Sequence, residues 1–198
     1  MNKKGLLSDP SFWSILIMNI FFIFYYSNNP NGLGTIIMLF YIQSVVIGIF
    51  NFLSLLTLQK TVTNSFTVND QPGNRKGCAA LFFLFHYGLF HVVYLVFIFI
   101  GPVKIQNLDF KFIILSFWII LFSEGYHFIK TLKRSKEEEA NIGIMFFLPY
   151  ARIVPMHLLI LAPTFLKISP SIVFLVLKML ADIIMYYINQ NFIFSKKN

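Results

Sequence analysis

Long apolar stretches alternate with short polar connections along the whole chain. Six stretches stand out, at residues 11–27, 35–58, 78–101, 110–131, 144–166 and 171–194. Each is close to the roughly 20 residues that an α-helix needs to cross a hydrocarbon core about 30 Å thick. The runs lack the regular alternation of a transmembrane β-strand. The pattern therefore predicts an all-α, polytopic membrane helix bundle with six transmembrane helices, formed as a single domain over residues 1–198.

The beginning of the chain resembles a signal peptide, because two lysines precede an apolar run. That run is long for a signal peptide, and it ends in Asn28-Asn29-Pro30 without the small residues of a cleavage site. We therefore expect a retained first span.

The composition supports a membrane protein. The chain is 57% hydrophobic and 12% charged, whereas soluble domains average about 45–50% and about 25%. A single cysteine, Cys78, excludes an intramolecular disulfide and any cysteine-cluster metal site. A typical soluble enzyme, a coiled coil and a secreted disulfide scaffold are excluded on these grounds.

The net charge of +8 mostly reflects the orientation of the chain in the membrane. With the N-terminus inside, eleven of the 16 Lys and Arg residues lie in inside segments or adjoining span ends. Only Lys104, Lys111 and Lys167 lie outside. The positive-inside rule then predicts cytoplasmic N- and C-termini in a multi-pass protein of the cell membrane, expected to be a prokaryote's cytoplasmic membrane. Because the charges are scattered, we expect the lipid bilayer as partner and no nucleic acid.

Ionisable side chains inside the predicted spans are the candidates for a binding site, because a charge in a bilayer is costly and rare. The set comprises His86, His91, Glu124, His127, Arg152, His157, Lys178 and Asp182. Glu124 and His127 are three residues apart and share a helix face, and Lys178 and Asp182 are four apart and can form an ion pair. Of the acids and bases in this set, two are negative and two positive, so the membrane core could be neutral.

Counting along the helices places four candidates at similar depth. His86, Glu124, Arg152 and Asp182 fall within a band of roughly 8 Å near the midplane, at 1.5 Å per residue. Side chains at matched depth could form one buried network if the bundle brings their helices together.

Histidines His86, His91 and His157 are weak candidates for metal ligands. His86 and His91 are five residues apart, which turns them roughly 140° from each other around a helix. One straight helix therefore cannot easily present both to one metal. Any metal or haem would have to be gathered from several helices, and the sequence names no cofactor.

The fifth predicted span contains three prolines, Pro149, Pro155 and Pro163. Proline removes a backbone donor and kinks a helix. Broken helices that carry polar residues are found at transporter binding sites, which draws attention to Arg152 and His157. The alternative is a kinked structural helix whose arginine extends toward the membrane surface.

Several phrases together resemble a prokaryotic integral-membrane family of six-span proteins, catalogued only as a domain of unknown function. They are Tyr41-Ile42-Gln43-Ser44 with Gly48 and Asn51, His86-Tyr87-Gly88-Leu89-Phe90-His91, Pro149-Tyr150-Ala151-Arg152-Ile153, Met156-His157 and Lys178-Met179-Leu180-Ala181-Asp182. The resemblance implies a six-span fold and no particular activity. In that family the position of Gln43 is often Glu and that of Tyr186 often His, so this sequence departs from the pattern at both.

Three functions stay open at this point. The polar cluster could bind or relay a proton, an ion or a small polar solute. It could instead belong to an intramembrane metal- or haem-dependent enzyme, or to a structural or assembly subunit with a membrane-protein partner or a second copy of the chain. The sequence favours a protein without enzymatic activity. The phrase Ser123-Glu124-Gly125 is not the Gly-x-Ser-Gly motif of intramembrane serine proteases.

Overall fold

Within the part of the chain that the structure describes, the fold consists of six helices and three very short strands. The computed structural model describes residues 9–59, 61–62, 74–100, 107–151, 153–154 and 172–195. The helices are α1 (Pro10–Asn28), α2 (Leu33–Thr57), α3 (Asn74–Ile100), α4 (Phe110–Arg134), α5 (Ile142–Ala151) and α6 (Ile172–Phe192), with a 3-10 turn at Pro30–Gly32. The strands are β1 (Thr61–Val62), β2 (Glu139–Asn141) and β3 (Phe194–Ser195). The predicted all-α helix bundle is confirmed.

Five of the helices, all except α5, are long and apolar enough to cross a membrane. Their outer faces carry large exposed hydrophobic side chains, such as Phe85 at 74% and Phe99 at 70% exposure on α3. In water such a surface would be unfavourable, whereas lipid accommodates it. These helices indicate membrane association. Helix α5 covers the start of the fifth predicted span, most of whose remainder lies outside the described residues.

Helix α1 begins at a capped N-terminus. The Asp9 carboxylate accepts a hydrogen bond from the Ser11 N–H, and Pro10 occupies the first helical position, where its missing N–H costs nothing. Asp109 caps α4 in the same way through the Phe112 N–H. Local sequence thus fixes where both helices start.

Helix α2 lies at the centre of the bundle and packs against α1, α3 and α4, while α6 packs against α1. Ile36 and Leu39 of α2 are fully buried. At Gly48 an added Cβ would lie 2.5 Å from Tyr87 Cε1, so only glycine allows α2 and α3 to approach this closely.

The three strands gather several helix ends at one end of the bundle, called here the sheet end. β1 pairs in parallel with β2, and β2 pairs antiparallel with β3. Because these strands follow α2, α4 and α6, the C-terminal ends of those helices lie together. The start of α1 joins them, since Asp9 forms an ion pair with Lys130 near the end of α4. The start of α1 and the end of α6 therefore share one end of the bundle, and the cytoplasmic assignment of that end stays a prediction.

Candidate functional site

An ion pair is buried between α6 and its neighbours. Lys178 Nζ lies 2.6 Å from Asp182 Oδ2, and the two side chains are 10% and 2% exposed. The pair expected from the four-residue spacing is therefore present. The Lys178 ammonium also lies over the rings of Phe40, at 4.8 Å, and Phe22, at 5.7 Å, which adds a cation–π attraction.

Two amides from other helices complete this group. Lys178 Nζ donates to Gln43 Oε1 at 2.7 Å and to Asn19 Oδ1 at 3.0 Å. With Asp182, the three hydrogens of the ammonium each have an acceptor. Asn19 Nδ2 in turn donates to Asp182 Oδ2 at 3.0 Å and to the Ile15 carbonyl at 2.9 Å. These four side chains, Asn19, Gln43, Lys178 and Asp182, form the buried network, which ties α1, α2 and α6 together.

A polar cavity lies next to the buried network, toward the sheet end. Its volume is about 70 Å³, which is room for a few water molecules. The lining comes from α1, α2, α4, α5 and α6, and it includes the polar side chains of Ser11, Asn51, Ser54, Glu124, His127 and Asn189.

The cavity and the buried network are one helical turn apart. On α6, the cavity residue Tyr186 is four positions after the network residue Asp182, and on α2 the cavity residue Ile47 is four positions after Gln43. Four residues advance a helix by about 6 Å. The buried network therefore forms a polar layer beneath the cavity.

Glu124 and His127 both line the cavity, as their shared helix face predicts. The amide nitrogen of Asn189 donates to His127 Nε2 over 3.1 Å. An acceptor Nε2 places the ring hydrogen of a neutral imidazole on Nδ1. The wall of α4 is held against α1 by a 2.8 Å hydrogen bond between the hydroxyls of Ser123 and Ser14.

Pro149 explains the role of Asn51 on the cavity wall. Because proline has no N–H, it leaves the carbonyl of Met145, four residues earlier in α5, without its helical donor. Asn51 Nδ2 donates to that carbonyl over 3.1 Å. An amide from α2 thus satisfies the backbone group that the proline frees, as membrane helices require.

Among the described residues that line the cavity, Ser11 carries a hydroxyl group that is unsatisfied. Ser11 is 6% exposed, and its Oγ has no hydrogen-bond partner among the described residues. An unpaired buried hydroxyl costs about 1–3 kcal/mol. A molecule in the cavity could satisfy it.

Asp9 joins three helices beside Ser11 at the sheet end. Its carboxylate forms an ion pair with Lys130 of α4 and accepts from Gln190 Nε2 of α6 at 3.2 Å. Burial alone would raise the pKa of Asp9, but hydrogen bonds from Lys130, Tyr186 and the Ser11 N–H hold it below its usual value.

His86 and His91 lie apart from the cavity on α3. His91 Nδ1 donates to the Tyr87 carbonyl at 2.9 Å, because that oxygen can only accept, and Nε2 then accepts from Ser44 Oγ at 2.9 Å. His86 Nδ1 instead meets the Tyr150 hydroxyl of α5 at 2.9 Å. Each imidazole therefore has a structural partner of its own.

The described candidates thus fall into three places: the buried network, the polar cavity and the outer histidines of α3. Within the described residues no three His, Cys, Asp or Glu side chains form a group that could hold a metal ion. Arg152 and His157 lie outside the described residues, so the metal set that includes His157 stays a prediction.

The sequence did not predict two residues of these groups, Asn19 and Ser11. Asn19 is a lone amide inside an apolar span, and that polarity is the signal that could have identified it. Ser11 gave no such signal, because a serine at a helix start is ordinary.

Comparison with known proteins gives a family and no activity. No curated protein and no solved structure matches the chain. Residues 1–193 match a family of unknown function, DUF6498, which confirms the resemblance to an uncharacterised family. The chain belongs to the DUF6498 family.

Proposed function

We propose that this protein binds or relays a proton, an ion or a small polar solute in the polar cavity. The carrying observation is the unpaired, buried Ser11 hydroxyl in a cavity that also holds Glu124 and His127. A polar group inside an apolar bundle costs free energy unless it is paired within the protein or contacts a bound solute. Carboxylate and imidazole groups both exchange protons and contact ions, which suits such a role.

Flux through reconstituted liposomes tests the proposal. Purified protein should carry protons or small ions faster than empty liposomes do, and Glu124→Gln should abolish most of that flux. Glu137→Gln is the matched control, because Glu137 is an exposed carboxylate in the turn after α4. Equal rates for the wild type and Glu124→Gln, with every solute tested, would reject a role for the cavity.

A structural or assembly role is the second candidate, and the buried network supports it. Every hydrogen of the Lys178 ammonium has an acceptor in the protein. Such saturated polar groups hold membrane helices together. Purification of the native protein with a stoichiometric membrane partner, and no flux from the pure chain, would favour this candidate.

A further inference from the structure

We infer that the contact of α1 with α4 near the sheet end is the entrance of the cavity, and that Asp9 and Ser14 keep this entrance closed. The inference rests on the proposed function, since a solute has to enter the cavity before it can bind there. It draws on the polar groups that join the two helices beside the cavity, on the aromatic groups that join them further away, and on the buried network beneath.

Two polar contacts join α1 to α4 at the wall of the cavity. The hydroxyls of Ser14 and Ser123 share a hydrogen bond of 2.8 Å, and Asp9 forms an ion pair with Lys130. Ser123 itself lines the cavity, and so does Ser11, two positions after Asp9. These two contacts are called here the polar seam. Separating them would part α1 from α4 beside the cavity.

The polar seam is easier to separate than the contact of α4 with α2. The Lys130 side chain is 36% exposed, and an ion pair that water reaches contributes little to stability because solvent screens it. Helix α2 packs on α4 over a larger interface than α1 does, with apolar contacts such as that between the rings of Phe50 and Phe128. Of these two neighbours of α4, α1 is therefore the one that moves away at lower cost.

Aromatic packing joins the same two helices nearer the opposite end of the bundle. The ring of Tyr25 stacks on that of Phe112 with the centroids 3.8 Å apart, and Phe21 packs on Phe112 at 4.9 Å. Phe112 lies near the start of α4 and Lys130 near its end, which separates them by about 27 Å along the helix. A small tilt of α1 about this aromatic cluster would open the polar seam while the helices stay in contact at the cluster.

The buried network closes the cavity on the side away from the sheet end. Its side chains are hydrogen-bonded to one another one helical turn beneath the cavity. A solute entering from that side would have to break these bonds inside the apolar bundle, where unpaired polar groups are costly. The polar seam is the less costly route.

Thiol labelling tests the inference without depending on flux. Cys78→Ser removes the exposed native thiol, and Ser54→Cys then places a single thiol in the cavity wall on α2. The full chain in nanodiscs reacts with 2-aminoethyl methanethiosulfonate, a small reagent, and mass spectrometry follows the modified fraction. Asp9→Asn or Ser14→Ala alone should speed labelling several-fold, and both together at least tenfold. Glu137→Gln, which changes an exposed carboxylate, should leave the rate unchanged.

A thiol elsewhere in the bundle separates opening of the polar seam from general loosening of the fold. Ala80 of α3 is fully buried and lies outside the polar seam. In the Cys78→Ser background, Ala80→Cys should be labelled slowly, and Asp9→Asn should not change that rate.

The outcomes separate this inference from the proposed function. Labelling of the Ser54→Cys chain that neither change in the polar seam speeds would overturn the inference, as would an equal rise in the Ala80→Cys chain. Faster labelling in the Ser54→Cys chain alone, with no flux of any solute, would support the entrance and reject the proposed function. Solute flux with unaltered labelling would do the reverse. Should Asp9→Asn not fold, judged by circular dichroism and gel filtration, Ser14→Ala decides, because it removes one hydroxyl and leaves the cap of α1 in place.

Discussion

Breaking the ion pair between Lys178 and Asp182 from one side should destabilise the protein more than removing both charges together. The side chains of Lys178 and Asp182 are 10% and 2% exposed, so Lys178→Met removes the ammonium group that faces a buried carboxylate. Breaking a buried pair in this way costs about 3–5 kcal/mol. The same change takes the hydrogen-bond donor from Asn19 Oδ1 and Gln43 Oε1, which are also buried.

The double variant, Lys178→Met with Asp182→Leu, removes both charges. Replacing a buried pair by apolar residues of similar volume is often neutral or even stabilising. Here the amide oxygens of Asn19 and Gln43 lose the Lys178 donor, which costs about 1–3 kcal/mol for each buried group. We therefore expect the double variant to be destabilised, but by less than the sum of the two single variants, with a coupling energy of about 2 kcal/mol or more.

Reversible unfolding in mixed detergent micelles measures these differences. The wild type, both single variants and the double variant are unfolded by raising the mole fraction of sodium dodecyl sulfate, and helicity is followed by circular dichroism. One result would refute the account of the buried network: losses of unfolding free energy in the two single variants that add up to the loss in the double variant within about 0.5 kcal/mol. That result would show no coupling between the two residues.

Three further predictions use the same unfolding assay. Asn51→Ala should cost about 1–3 kcal/mol in the wild type and clearly less beside Pro149→Ala, which restores the helical donor; equal losses in both backgrounds would contradict this pairing. Asp9→Asn should lower stability at pH 7. Because the folded-state pKa of Asp9 is lowered, the difference in stability between the wild type and the variant should shrink as pH falls below about 4. A difference in stability that is independent of pH would contradict the ion pair. Gly48→Ala should cost about 1–3 kcal/mol, since its Cβ would meet a tyrosine ring carbon at 2.5 Å, whereas Gly88→Ala, which meets nothing within 4 Å, should be tolerated; similar midpoints for the two would be the contrary result.

The hydrophobic runs predicted the helical fold because length and apolarity alone decide whether a segment can cross a membrane. They predicted less about helix ends. Helix α3 begins at Asn74, before the apolar run that starts at residue 78, since polar residues extend a helix beyond the hydrocarbon region. Contacts within one helix were also readable, as the four-residue spacing of Lys178 and Asp182 shows.

Contacts between helices could not be predicted from the sequence in the same way. Depth along a helix can be counted, but when almost every position is apolar, the sequence does not reveal which face turns inward. The sequence predicts His86 and Asp182 at similar depth, yet His86 contacts Tyr150 whereas Asp182 contacts Asn19. The position of each helix around the bundle separates them.

The degree of hydrogen bonding distinguishes the buried network from the proposed binding site in this bundle. In the buried network, the Lys178 ammonium has three acceptors, so a solute would gain nothing there without breaking an existing bond. One turn closer to the sheet end, the Ser11 hydroxyl has no partner among the described residues, so a solute there would gain a hydrogen bond without breaking one. Helices α1, α2 and α6 contribute residues both to the buried network and to the lining of the cavity. The buried network therefore sets the spacing between these three helices where they line the cavity. In the proposed function, the charges of the buried network therefore hold the walls of the cavity, and the cavity is the place where the solute binds.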